Sequence, residues 1–300
     1  MYLAAAVSVA ALCAPCCAAQ RQSPPETPTP EQPSMKADPA SGVLDSGFRD
    51  LYELKFQGAR TDFASYQKLH PNDPLGKAAE AASYLYEQFS EKGVLTSNFF
   101  LDDSKLLGGV EGDAAENRNS AFLKANHETR HIAEQHLKTD PQDADSLLAL
   151  TMADGMESDY DALIEKKQLA SISFMRKAES DAKNLLAVDP SADDAYVALG
   201  ASNYIIGCMP VYKRAFLWFG GMHGDRARGM KQLASAANHG RYLKPFAKIL
   251  LALAAEREHE TSLARGLLSE LAHQFPENPL FAHELALLEE RVTGKKCNDC

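Results

Sequence analysis

The chain has 300 residues, 45% of them hydrophobic, enough to bury a large core in one domain or two. Its net charge of −10 argues against a nucleic-acid-binding surface, which needs a basic stripe. It argues equally against an anionic membrane surface, and no polybasic run offsets it.

The first 19 residues read as an export signal. "LAAAVSVAALCA" (3–14) is an apolar core, and "CAA" (17–19) ends in the small residues a signal peptidase cleaves after. The run is too short for an ordinary bilayer span, so no integral span is expected once it is removed. No Lys or Arg precedes it, a departure from the usual pattern. Cys13 follows Leu12 and Cys16 follows Pro15, so neither has the small residue that lipid attachment favours. The expected location is periplasmic or secreted. Cys13, Cys16 and Cys17 lie in this segment, and the remaining Cys208, Cys297 and Cys300 are too few for a stapled framework. Residues 20–42 hold six prolines and few large apolar side chains, which describes a PPII-prone spacer.

From residue 43 to 291 the pattern is helical, without sustained period-2 alternation. Prolines punctuate it: "HPNDP" (70–74), "DPQDAD" (140–145), "DPSADDAY" (189–196) and "FPENPLF" (275–281) each follow one apolar helical run and precede another. Asp or Asn there supplies a helix cap, and Pro suits the turn or the first helical turn. The clearest unit is Pro245 to Asn278, 34 residues long. With Pro245 as position 1, Leu251 and Ala252 take 7 and 8, Ala264 takes 20, Leu268 24, Leu271 27 and Pro276 32. Small residues at 8 and 20 let two helices approach closely, and the large apolar positions fill their seam. Upstream, Gly47, Phe56, Ala59, Phe63, Tyr66 and Pro71 take 8, 17, 20, 24, 27 and 32. Tyr196, Leu199 and Gly200 take 4, 7 and 8 of another unit, and Leu147 and Leu150 take 4 and 7 of a fourth.

These residues resemble the tetratricopeptide-repeat family, with one close match and several degenerate ones. The resemblance implies an all-α, right-handed solenoid of helix pairs. The intervals between turn prolines, 70 residues from Pro71 to Pro141 and 49 from Pro141 to Pro190, exceed the regular repeat. Insertions are therefore expected around 94–116, 154–167 and 207–224, packed back on the superhelix or covering its concave face. Residues 279–291 read as a capping helix and 292–300 as a tail containing "CNDC", which on its own is half a zinc site.

"HETRH" (127–131) matches H-E-x-x-H, in which two histidines one turn apart bind zinc and the glutamate activates water. Counting back from Pro141 puts Thr129 at position 20 and Ala133 at 24, on the buried face with Phe122, Ala125 and Ile132. His127, Glu128 and His131 then fall at 18, 19 and 22, on the solvent side. Glu157 and Asp161 are the one candidate for a further ligand set. The polar-helix reading is preferred to a zinc metallopeptidase. "DPSADD" lacks the spacing of a calcium loop and reads as cap and turn. No G-x-S-x-G, P-loop or glycine-rich phosphate cradle is present, so no cofactor and no catalytic residue are assigned.

The segment 203–229 carries the only Trp, together with Cys208, Pro210 and the run "VYKRAFLWFGG". Tyr212, Lys213, Arg214 and Trp218 are its candidate binding residues, since aromatics and Arg anchor interfaces. Lys213 and Arg214 interrupt the apolar stretch, which weighs against shallow membrane insertion. What the resemblance implies is a protein or peptide partner on the concave face, lined by Leu148, Met152, Val197, Ala201, Tyr204, Ile249 and Leu253. The expected function is a non-enzymatic envelope scaffold. The alternative is a helical protein binding a small molecule or lipid beneath the 207–224 insert.

Overall fold

The computed structural model describes residues 39–102, 109–110, 116–219 and 221–294. The export signal at 1–19, most of the spacer, Cys297 and Cys300 lie outside the described residues. The helices are α1 Pro39–Tyr52, α2 Phe56–Leu69, α3 Pro74–Glu91, α4 Ser97–Phe100, α5 Glu116–Thr139, α6 Ala144–Leu163 and α7 Gln168–Val188. They continue with α8 Ala195–Cys208, α9 Val211–Phe219, α10 Arg226–His239, α11 Lys244–Arg257, α12 Thr261–Gln274 and α13 Pro279–Thr293. No strand occurs among the described residues. The first helix starts at Pro39, inside the stretch 20–42 read as a spacer.

The prolines do two different jobs. Pro74 and Pro279 are first-turn residues, and the side chains of Asp73 and Asn278 before them accept from the amides of Leu75 (2.8 Å) and Leu280 (2.9 Å). The Asp-Pro pairs at 140 and 189 sit one step earlier, in the turn itself. Asp140 accepts from the amide of Gln142 at 3.0 Å and Asp189 from that of Ser191 at 2.9 Å, and the next helices start only after Asp143 and Asp194.

Helices pack in sequence order as an all-α solenoid of pairs: α1 on α2, α2 on α3, α3 on α5, and so on to α12 on α13. The first helices of successive pairs also touch, α3 with α6, α6 with α8 and α8 with α11. The small positions are where the register puts them. A methyl at Gly47 would lie 2.4 Å from the Phe63 ring, and Ala59, Ala252 and Ala264 are fully covered. The expected insertion at 154–167 is mostly no loop: α6 runs on to Leu163, so the extra residues lengthen a helix. The one at 207–224 contains α9, and α4 falls in the one at 94–116.

Within residues 38–300 the two ends of the array meet. The Tyr52 hydroxyl donates to the Tyr242 carbonyl at 2.9 Å, and the Asn278 amide donates to the Tyr52 carbonyl at 2.7 Å. Phe48 stacks on Tyr242 with centroids 5.0 Å apart, Tyr52 tilts against Phe275 at 5.6 Å, and Tyr86 meets Phe246 edge-on at 5.4 Å. A few residues further on, the Ser97 amide donates to the Glu284 carboxylate at 3.1 Å, and Arg257 donates to the Phe100 carbonyl at 2.5 Å. One apolar cluster thus runs from Leu44 through Leu148 and Met152 to Ile249 and Phe281.

Candidate functional site

The inner face expected to line a groove is filled by the chain itself. Leu148, Met152, Val197, Tyr204, Ile249 and Leu253 are each less than a tenth exposed, and Ala201 is half-buried. Four of them belong to the cluster that the chain ends close over. Val197 packs instead between α10, α11 and α12. The Tyr204 hydroxyl donates to the Ala254 carbonyl at 3.2 Å and to Glu258 at 3.1 Å, and burial raises its pKa. These side chains hold the superhelix together, and in this closed arrangement a partner does not reach them.

The H-E-x-x-H sequence lies on α5 with its two histidines outward. His127 and His131 are exposed, and Glu128 pairs with Lys77 at 2.9 Å. The residues between them turn inward. Thr129 is buried and donates to the Ala125 carbonyl, while Arg130 reaches Asp154 at 2.9 Å and lies over the Phe174 ring at 4.7 Å. Glu157 accepts from the Asn126 amide at 2.7 Å and lies 3.5 Å from Arg130, and Asp161 is buried on the same helix. Burial raises the Asp154 pKa, against the pull of Arg130. Burial and the neighbouring Asp154 carboxylate push Asp181 up to about 7. Among the described residues no three His, Cys, Asp or Glu side chains are grouped to hold a metal.

The acidic run at 189–194 is consumed by turns. Asp189 bonds Ser191, Asp193 accepts from the Ser235 hydroxyl at 2.6 Å, and Asp194 accepts from the amides of Tyr242 and Leu243 at 3.0 Å each. A cavity of about 500 Å³ lies at the far end, lined by Leu101, Glu256, Arg257, His259, Leu288 and Arg291 among others. It takes no residue from α9, and Arg291 is committed to Glu256.

Four of the eight large apolar side chains exposed among the described residues fall on α9 and the start of α7. Leu217 of α9 is buried against Ile206 and Met222, and Ile172, Met175 and Met209 pack on that cluster. α9 and the first two turns of α7 thus share one apolar cluster with α8. The helix ends in a Schellman motif: Gly221, at φ +80°, donates to the Trp218 carbonyl, and Met222 donates to the Leu217 carbonyl. Below it, α8 and α10 meet backbone to backbone. A methyl on Gly229 would lie 2.7 Å from the Tyr204 amide nitrogen, and one on Gly224 2.3 Å from that of Gly207. The Asp225 amide donates to the Asn203 carbonyl at 3.0 Å, which pins the loop leaving α9.

On this clamped base Val211, Tyr212 and Trp218 are 71%, 72% and 58% exposed, and Leu169, just inside α7, is 76% exposed. Val211 and Trp218 lie seven residues apart, two turns, so they share a face. Arg214 is half-buried on the flank; the Lys213 side chain lies outside the described residues. Segments 164–177 and 208–228 together carry eight basic and two acidic residues, within a chain of net charge −10. The sequence pointed to Tyr212, Lys213, Arg214 and Trp218 but not to Leu169, Val211, Lys166, Lys167 or Arg176. The charge inversion was there to be counted, but the two segments are some forty residues apart in the chain and only the packing of Ile172 and Met175 on α8 and α9 joins them.

The structure is similar to the crystal structure of a thermophilic TPR protein of Thermus thermophilus, at 14% identity and a TM-score of 0.44, over 83% of this chain and 98% of that one. No protein-family model and no curated protein matches the sequence.

Proposed function

We propose that this chain is a non-enzymatic, exported scaffold that holds protein partners in an envelope assembly, and that the α7–α9 patch is where it attaches. One observation carries the reading. The inner face is occupied by the chain's own first and last helices, whereas Val211, Tyr212, Trp218 and Leu169 stand outward on a base locked by glycine-mediated helix contact. Exposed aromatics beside arginine are the composition of an attachment surface. A rigid base reduces the ordering cost of docking. The export signal read at 1–19 supports the envelope location.

The test is recovery of envelope components with the full chain and with a Tyr212→Ala/Trp218→Ala double variant. The expected result is loss of the bound components with unchanged thermal stability. The same components at the same yield from both proteins sink the proposed surface.

A further inference from the structure

Resting on the reading that α9 is the attachment surface, we infer that what it meets is an anionic lipid surface. Three features of the patch favour lipid over a protein groove or peptide. First, α9 is a short helix whose outward side is apolar at Val211, Tyr212 and Trp218 while its inner side, through Leu217, is already satisfied by α8. A helix that is apolar on the outside after its inner face is packed has the form of an interfacial element, and Trp and Tyr are the side chains that settle at headgroup depth.

Second, the described basic residue of α9 flanks the apolar stripe and does not break it. Helical winding sets Arg214 to the side of the Val211–Trp218 face, so the interruption seen in the sequence becomes a flank in the helix. Lys166 and Lys167 just before α7, and Arg176 and Lys177 within it, are exposed, as is Leu169. Lys167 is paired with Glu165, and Lys177 lies over the Phe174 ring.

Third, the charge is complementary only locally. The whole chain is acidic, so an anionic bilayer repels most of its surface and attracts this patch. With screening over about 8 Å at physiological ionic strength, the near charges decide, and they also fix orientation. The net charge that argues against a membrane surface therefore becomes the reason that one face alone docks. No helix among the described residues is long and apolar enough to cross a membrane.

Trp218 is the chain's only tryptophan, so its fluorescence reports this patch even with the apolar N-terminal segment present. The full chain is mixed with vesicles of phosphatidylglycerol and phosphatidylcholine in equal parts, and separately with pure phosphatidylcholine. With the anionic vesicles Trp218 emission is expected to move to shorter wavelength, with co-sedimentation that weakens as salt rises. Pure phosphatidylcholine should leave the emission where it was. Arg214→Gln and Lys166→Gln should each lower the partition constant about fivefold, and Val211→Ser/Tyr212→Ser should lower it further, all with native thermal melts. An unmoved Trp218 emission overturns the lipid assignment, as does equal binding to both vesicles. If the emission stays put while the Tyr212/Trp218 variant still loses envelope components, the attachment surface stands and its partner is a protein. If neither assay responds, both readings fall.

Discussion

The pair α11–α12 and the pair α8–α10 solve one packing problem with different residues. In the first, the small positions are Ala252 and Ala264, both covered and in one apolar cluster. In the second, glycines take that place. Gly200 faces the Leu233 amide and Gly229 faces the Tyr204 amide, so backbones touch. The tighter pair is also the one that carries an extra helix. Closer approach of α8 and α10 brings Gly207 and Gly224 together at the pair's end, and that contact anchors the loop from which α9 projects. The regular repeat serves only to stack, while the glycine repeat holds a presented element in place.

The comparison is broken most severely at Gly229. Gly229→Ala places a methyl 2.7 Å from a backbone nitrogen and 2.8 Å from the Gly200 carbonyl oxygen, and neither can move aside as a side chain can. A loss of about 3 kcal/mol is expected, from chemical denaturation. The reciprocal change in the other pair, Ala264→Gly, removes one methyl and weakens helix propensity, for a loss of about 1–2 kcal/mol. Similar losses from the two variants would mean that the closeness of the α8–α10 pair is not structurally decisive.

The next largest effect is expected where the ends of the array meet. Asn278 both caps α13 and donates to the buried Tyr52 carbonyl 226 residues away. Asn278→Ala removes the cap and leaves that carbonyl without its partner, for a loss of about 2–3 kcal/mol. Because Phe275 and Glu277 of the same turn also contact the first repeat, local opening there is expected before global unfolding. Hydrogen exchange should show faster exchange in α1 and α13 of the variant, with the α8–α10 pair unaffected. Uniform acceleration would argue that closure and stacking are one cooperative unit.

Much of the solenoid could be read from its prolines and small residues, because repeat stacking is local and each unit must satisfy the same crossing. Gly47, Ala59, Ala252 and Ala264 behave as their register demands. The closure could not be read so. Tyr52, Tyr242, Phe275 and Asn278 look like ordinary repeat positions one by one, and only the accumulated rotation of the intervening helices brings them together. That is why Leu148, Met152, Ile249 and Leu253, correctly placed on the inner helices, are buried and not presented. The His127–His131 motif is the converse. Its register was sufficient to turn it outward, since the outer face of a helix is decided by residues within two turns.

A smaller effect separates the two pairs from the acidic α6–α7 interface. Burial and the adjacent Asp154 push the Asp181 carboxyl up to about 7, from an ordinary carboxylate value of 3.8. A carboxyl that holds its proton more tightly when folded favours the folded state at low pH. That contribution is full below about pH 4 and is lost as pH rises through 7. Discounted for the partial exposure of Asp181, it amounts to about 1 kcal/mol, or about 2–4 °C in Tm between pH 5 and pH 8. Asp181→Asn should flatten this slope, whereas Gly229→Ala should shift the whole curve down in parallel. A slope unchanged in the Asp181 variant would place the loss of stability at rising pH elsewhere.

The smallest expected stability effect is the most informative about what α9 is for. Val211, Tyr212 and Trp218 project from a helix whose hold on the protein runs through Leu217, Met222 and the clamped loop at Gly224. Removing outward side chains exposes no core, so Tyr212→Ala/Trp218→Ala should leave stability within about 0.5 kcal/mol of the parent. Leu217→Ala should cost about 2–4 kcal/mol locally and release α9, with the rest of the solenoid intact. Attachment should be lost in both variants, for different reasons: in one the helix is presented without its anchors, and in the other the anchors are kept without a fixed presentation. If the Leu217 variant still attaches fully, the anchoring side chains suffice without the glycine-clamped base, and the close packing of α8 on α10 serves stacking alone.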